Sequence, residues 1–190
     1  MTTIDEMKSF FSKRMGLHIS LIQKYLDRLQ KHSDELGLDK TIIQENYNNH
    51  DASKYQEPEY TPYLYITWGY KCKAEGVLFE IPKEIQEQMN TATIHHILSN
   101  NHHPEYWLPN KENLQNIINT GNRDGIPDEM IDGTHMPLNY IALMCVDWCA
   151  ISEERKTSPF DWAKKTVNIR WKFTKEQEEF LYRTLNTIWP

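Results

Sequence analysis

Residues 11–29 read FSKRMGLHISLIQKYLDRL. Phe11, Met15, His18, Ile22, Tyr25 and Leu29 recur at intervals of four and three, which places them along one face of a single helix. The spacing predicts a long amphipathic helix whose apolar stripe carries one imidazole, His18. Gly37 supplies a stop signal after it and Asp39 a cap for the next helix. There Ile43, Tyr47, His50 and Lys54 repeat the spacing, with Asp51 one step around.

The same period continues along the chain. Thr61-Pro62 starts a short aromatic helix through Tyr63, Tyr65 and Trp68. Pro82 suits the first turn of another, with an inner face of Ile85, Met89, Ala92 and His96. That helix ends before Pro104, because a proline ring disfavours helix in the residue preceding it. Residues 109–136, which include Gly121, Gly125, Pro127 and Gly133, form a loop-rich section and the candidate lid or substrate loop. Pro137 opens a strongly apolar helix with Tyr140, Met144, Asp147 and Ile151 in register. Ser158-Pro159 begins a further one, and Thr174 with Gln177 forms a capping box for the last, which carries Phe180, Leu181, Leu185 and Ile188. Strand alternation, repeats and a splitting linker are all missing. The expectation is an all-α fold in one domain over residues 1–190, with a core of roughly residues 10–155 and C-terminal helices of 156–190 packed on it.

Composition narrows the function classes. With 190 residues, 39% apolar and 25% charged, the chain reads as an ordinary globular protein. A formal net charge of −6 argues against a duplex nucleic-acid binder, which gains affinity by neutralising phosphates. A small nucleotide remains compatible, since one cation and one or two lysines can hold it. Cys72, Cys145 and Cys149 are odd in number, with two of them four residues apart on one helix, and read as reduced core thiols. Asp5 and Glu6 near the start, with no apolar stretch there, argue against a signal peptide. The longest apolar run, Ile141 to Val146, is far short of the ~20 residues that span a membrane. The expectation is a cytoplasmic protein with no membrane partner.

Polar groups on apolar stripes carry the chemistry. Asp147 lies inside Ile141-Ala142-Leu143-Met144-Cys145-Val146-Asp147-Trp148, and burying an uncompensated carboxylate costs several kcal/mol. A lone salt bridge would answer for Asp147. Likewise His18 alone would read as a hydrogen-bonded core histidine, His50-Asp51 as a local polar pair, and Lys54 as a surface lysine. A divalent cation held by His18, His50, Asp51 and Asp147 accounts for all of the buried groups together. Mixed imidazole and carboxylate ligation suits Mn, Fe, Co, Ni or Zn. His95 falls on the outward side of His96, while His32 and His135 read as bystanders.

The order His18, then His50-Asp51, then Asp147 resembles the H…HD…D signature of the HD-domain superfamily. Members of that superfamily are all-helical, metal-dependent and mostly phosphohydrolases. His50-Asp51-Ala52-Ser53-Lys54 resembles the form in which a lysine, here Lys54, approaches the substrate phosphate. His102-His103-Pro104-Glu105 is similar to the double-histidine segment of members with two or three metals. His95-His96, Asn101-His102-His103-Pro104-Glu105-Tyr106-Trp107 and Asp147-Trp148 together look like an uncharacterised HD-like family of phages and bacteria. The resemblance covers roughly residues 10–155 and implies an HD-like helical bundle around a buried metal site. One departure concerns His96 and His103, which would lie ~10 Å apart along a continuous helix. They can share a second ion with His102 only if the chain turns near Asn100-Asn101. Otherwise they stand beside a single ion as acids or oxyanion clamps, the arrangement placed slightly first.

The resemblance implies hydrolysis of a nucleotide or other small phosphate ester by a metal-activated water. Lys54 and one or more of His96, His102 and His103 are the expected catalytic groups. Two other readings stay open: an HD-type di-iron oxygenase, and a non-catalytic protein that binds a nucleotide or a partner. Tyr60, Tyr63, Tyr65, Trp68, Tyr106 and Trp107 are read as core, with one or two able to stack on a base.

Overall fold

Helix α1 (Ile4–Lys31) begins where its sequence caps it. The Thr3 hydroxyl accepts the Glu6 amide at 3.2 Å, and the Glu6 carboxylate accepts the Thr3 amide at 2.8 Å. A computed structural model describes residues 3–111, 114, 127 and 129–190 of the chain. The loop-rich section around Gly121 and Gly125 falls largely outside the described residues.

The stripe expected from the spacing is the buried face of α1, with Phe11, Met15, His18, Ile22, Tyr25 and Leu29 all inside. A single helical turn, α2 (Ser33–Leu36), intervenes before Gly37, whose φ of 68° is the left-handed stop. Helix α3 (Lys40–Asn49) starts as expected at Asp39, whose carboxylate accepts the Thr41 amide at 2.8 Å. It ends at Asn49, five residues short of Lys54, the last residue of the expected stripe. His50 leaves the helix at ψ 123°, Asp51 takes a left-handed φ of 56°, and Lys54 sits on a 3₁₀ turn, Ala52–Tyr55. The doublet therefore lies at a helix end rather than on a helical stripe.

Helix α4 (Tyr60–Ala74) packs against α1, and α5 (Lys83–Ser99) packs against α4. Helix α6 (Leu138–Arg155) is the central post: every residue from Ile141 to Ala150 is buried, so it meets neighbours all round. Helices α7 (Pro159–Thr166) and α8 (Lys175–Ile188) pack against α6, and α8 also reaches α1. The fold is all-α. Its sheet among the described residues is a parallel ladder of two dipeptides, β1 (Ile131–Asp132) and β2 (Trp171–Lys172). The Gln177 amide ties the following turn down, donating to the carbonyls of Gly133, Thr134 and Met136. No helix among the described residues is long and apolar enough to cross a membrane.

Apolar packing divides into two principal clusters. The larger joins Ile22, Tyr25, Leu26 and Leu29 of α1 to α6 and α8; the smaller joins Met7, Phe11 and Met15 to Tyr63, Leu64 and Trp68 of α4 and to Ala92. His18 occupies the seam between them, since Met15 belongs to one cluster and Ile22 to the other. The buried residues His50, Asp51, His96, His102 and Asp147 gather beside His18 at that seam.

Candidate metal centre

Four elements deliver side chains to the seam. His18 comes from α1, His50 and Asp51 from the end of α3, His96 from the last turn of α5, and Asp147 from α6. His102 and His103 arrive on the turn that follows α5. All but His103 are buried.

Asp51 is the hub. Its Oδ2 lies 3.5 Å from His18 Nε2 and 3.9 Å from His50 Nε2. Asp147 Oδ1 faces the same two nitrogens at 3.4 and 3.6 Å. On its other side, Asp51 Oδ1 lies 3.4 Å from His96 Nε2 and 3.6 Å from His102 Nε2, and His103 Nε2 is 3.2 Å from His96 Nε2. The sequence-expected ligands thus meet in one place, as do the three further histidines. The turn needed to join His96 and His103 is present: α5 stops at Ser99, and Asn100 takes extended dihedrals.

The spacing has a physical meaning. Most of these separations exceed the about 2.7–3.2 Å of a good hydrogen bond. Two donors bound to one transition-metal ion at about 2.0–2.2 Å sit roughly 3.0–3.4 Å apart at octahedral or tetrahedral angles. The tautomers point the same way. His50 Nδ1 donates to Asn46 Oδ1 at 3.2 Å, which leaves the Nε2 lone pair facing two carboxylate oxygens. His50 Nε2 and Asp51 Oδ1 are buried atoms with no hydrogen-bond partner. Acceptors facing acceptors in a dry interior repel unless a cation lies between them. The two donor sets, His18/His50/Asp147 and His96/His102/His103, could each hold a metal ion, and Asp51 contacts both.

Charge states agree with this chemistry. Burial alone would raise the Asp51 carboxyl, but Lys54, His50 and His96 hold it well below the usual carboxylate range. Burial opposes ionisation of Asp147 too, but the facing imidazoles of His50 and His18 hold its carboxyl below the usual carboxylate range. Burial, aided by the Lys54 charge, pushes His96 well below the ordinary imidazole value. Burial with the neighbouring His50 pushes His102 down to about 3. Anionic carboxylates and neutral imidazoles are the forms that ligate metals.

Lys54 answers the salt-bridge alternative only in part. Its Nζ lies 2.5 Å from Asp51 Oδ2, leaving Oδ1 unpaired. Among the described residues no lysine or arginine pairs with Asp147, so a lone salt bridge does not explain that carboxylate. His95 is outward as expected and bonds Glu59 at 2.7 Å, while His32 pairs locally with Glu35.

Three contributors escaped the sequence reading. Glu59, fully buried, receives His95 and His96. No periodicity marks it, because it stands at the entrance to α4 rather than on a stripe. Asn46 was readable, being four residues before His50 on the same helix. The third is a wall of tryptophans. A cavity of about 240 Å³ opens from His18, Asp51, Lys54 and His103 toward Trp148, Trp162 and Trp171, with Arg14 and Arg155 also lining it. Of the aromatic residues singled out from sequence, Tyr63 lines this cavity and packs edge-on to His96, whereas Trp68 belongs to the core.

Residues 7–187 match a family of unknown function, DUF5662. The chain belongs to this family. No curated protein and no solved structure matches it. For a DUF5662 protein, then, the site must speak through its own geometry.

Proposed function

We propose that this DUF5662 protein is a metal-dependent phosphohydrolase of HD type, acting on a nucleotide or other small phosphate ester. The observation that carries the reading is the two-sided contact of Asp51, whose oxygens face separate sets of imidazole nitrogens. That arrangement fits two divalent transition-metal ions, Mn, Fe, Co, Ni or Zn, sharing one carboxylate. His18, His50 and Asp147 would hold the first, and His96, His102 and His103 the second. When bound, the ions would supply a water of lowered pKa near neutral pH and a Lewis acid for the phosphoryl oxygen. Lys54 lines the same cavity and offers an ammonium to the phosphate. Where the second position holds no ion, His103, the least buried of the three, is the group that would protonate the leaving oxygen. Arg14 and Arg155 would hold further negative charge of the substrate.

The histidine-rich second set also suits a di-iron centre that activates oxygen, which is the second reading. One experiment separates them. Elemental analysis of the purified protein gives metal identity and number, and each reconstituted form is assayed for phosphate release from a panel of nucleotides and simple esters. Phosphate release supports hydrolysis. Iron with substrate-dependent oxygen uptake and no phosphate release replaces it with the second reading. A metal-loaded protein with neither activity is a binder.

A further inference from the structure

We propose that Glu59 is the positioning residue of the second half of the centre: it sets the tautomer of His96 and thereby makes that imidazole a ligand. The inference rests on the two-ion reading above. Glu59 immediately precedes α4 and is completely buried. Its Oε2 lies 2.9 Å from His96 Nδ1, and its Oε1 lies 2.7 Å from His95 Nδ1. An ionised carboxylate only accepts, so both ring nitrogens donate. With the proton on Nδ1, a neutral His96 carries its lone pair on Nε2, the atom that faces Asp51 Oδ1 at 3.4 Å.

A competitor makes Glu59 decisive. The Asn100 amide nitrogen also lies 3.1 Å from His96 Nδ1. An amide NH₂ can only donate. Were Asn100 the sole neighbour of Nδ1, it would give a hydrogen bond to that nitrogen and move the ring proton to Nε2, closing the ligand position. Asn100 has other acceptors for its two protons, Ser53 Oγ at 2.9 Å and the His96 carbonyl at 2.8 Å. Glu59 therefore keeps Nδ1 protonated while Asn100 bonds elsewhere. His95, whose side chain is 41% exposed, occupies the second oxygen and holds the carboxylate in place. Carboxylate partners of ligating histidines typically change metal affinity about 10–100-fold when removed.

The test has two readouts. In metal-free wild-type protein, ¹⁵N shifts of the His96 ring should report the Nδ1–H tautomer, and in Glu59→Ala the Nε2–H tautomer. An Nε2–H ring in the wild type overturns the proposal without need of any variant. Titration with Co(II) should give two ions for the wild type. Glu59→Ala should weaken the second about 10–100-fold and leave the first unchanged. Glu59→Gln, whose amide oxygen still accepts from Nδ1, should restore most of the loss. Two ions in the wild type with an unaltered second site in Glu59→Ala, or an equal loss at both sites, overturns the role of Glu59 alone. A wild type that takes up no Co(II) overturns the metal reading and this proposal together.

Discussion

The two halves of the seam are built differently. His18, His50 and Asp147 come from helices α1, α3 and α6, separated by 32 and 97 residues of chain, and meet because those helices cross there. His96, His102 and His103 come from eight consecutive residues, and meet because one helix ends and the chain turns back. The first half is braced by the core on both sides of His18. The second depends on a local turn and on Glu59. Rigid crossing helices preorganise ligands more firmly than a turn does, so the second half should be the weaker and more easily emptied.

Removing what the halves share should have the largest effect. Asp51→Ala takes an oxygen from each set, so elemental analysis should find neither ion and any turnover should vanish. Full metal content in this variant would remove Asp51 from the centre. Next in size, His18→Ala should empty the first half while the second still takes up metal. Simultaneous loss of both, by the same titration, would show one indivisible site instead of two halves.

Acidification probes the second half without metal. His102 moves from an ordinary 6.5 to about 3 in the folded state, so between these values the unfolded chain binds a proton that the folded one refuses. Stability of the metal-free protein should therefore fall as pH drops below 6.5, by about 2 kcal/mol at pH 5, or roughly 4–8 °C in melting temperature. His102→Phe should remove its share of that slope and leave the share of His96, which burial likewise holds below the ordinary imidazole value; an unchanged slope would show that His102 is not buried neutral. The smallest effect belongs to a residue outside both donor sets. Lys54→Ala should keep both ions and weaken phosphate binding about tenfold, seen as a raised KM or a weaker inhibition constant for inorganic phosphate. Loss of metal instead would make the lysine a structural counterion of Asp51.

The comparison also separates what could be read from the amino-acid order. His18 was legible because it falls on a three-and-four rhythm of apolar residues, and Asp147 because it interrupts an apolar run. His50-Asp51 was legible as a doublet, although the helix stops at Asn49 and the left-handed turn at Asp51 aims its carboxylate at both sets. For His96 and His103 the spacing could only pose the question of a turn. Glu59 and the tryptophan wall of Trp162 and Trp171 carried no periodic signal. Trp171 shares its site with Glu105, 66 residues away, through a 2.9 Å hydrogen bond.

Helical phase is a property of one segment and its repeat, so order along the chain suffices for the all-α bundle and for which polar groups point inward. Which of those groups touch, and which tautomer each imidazole holds, depends on helix crossings, on a chain reversal at Asn100 and on a carboxylate arriving from another helix. Those are relations between segments, and they exist only once the segments have packed.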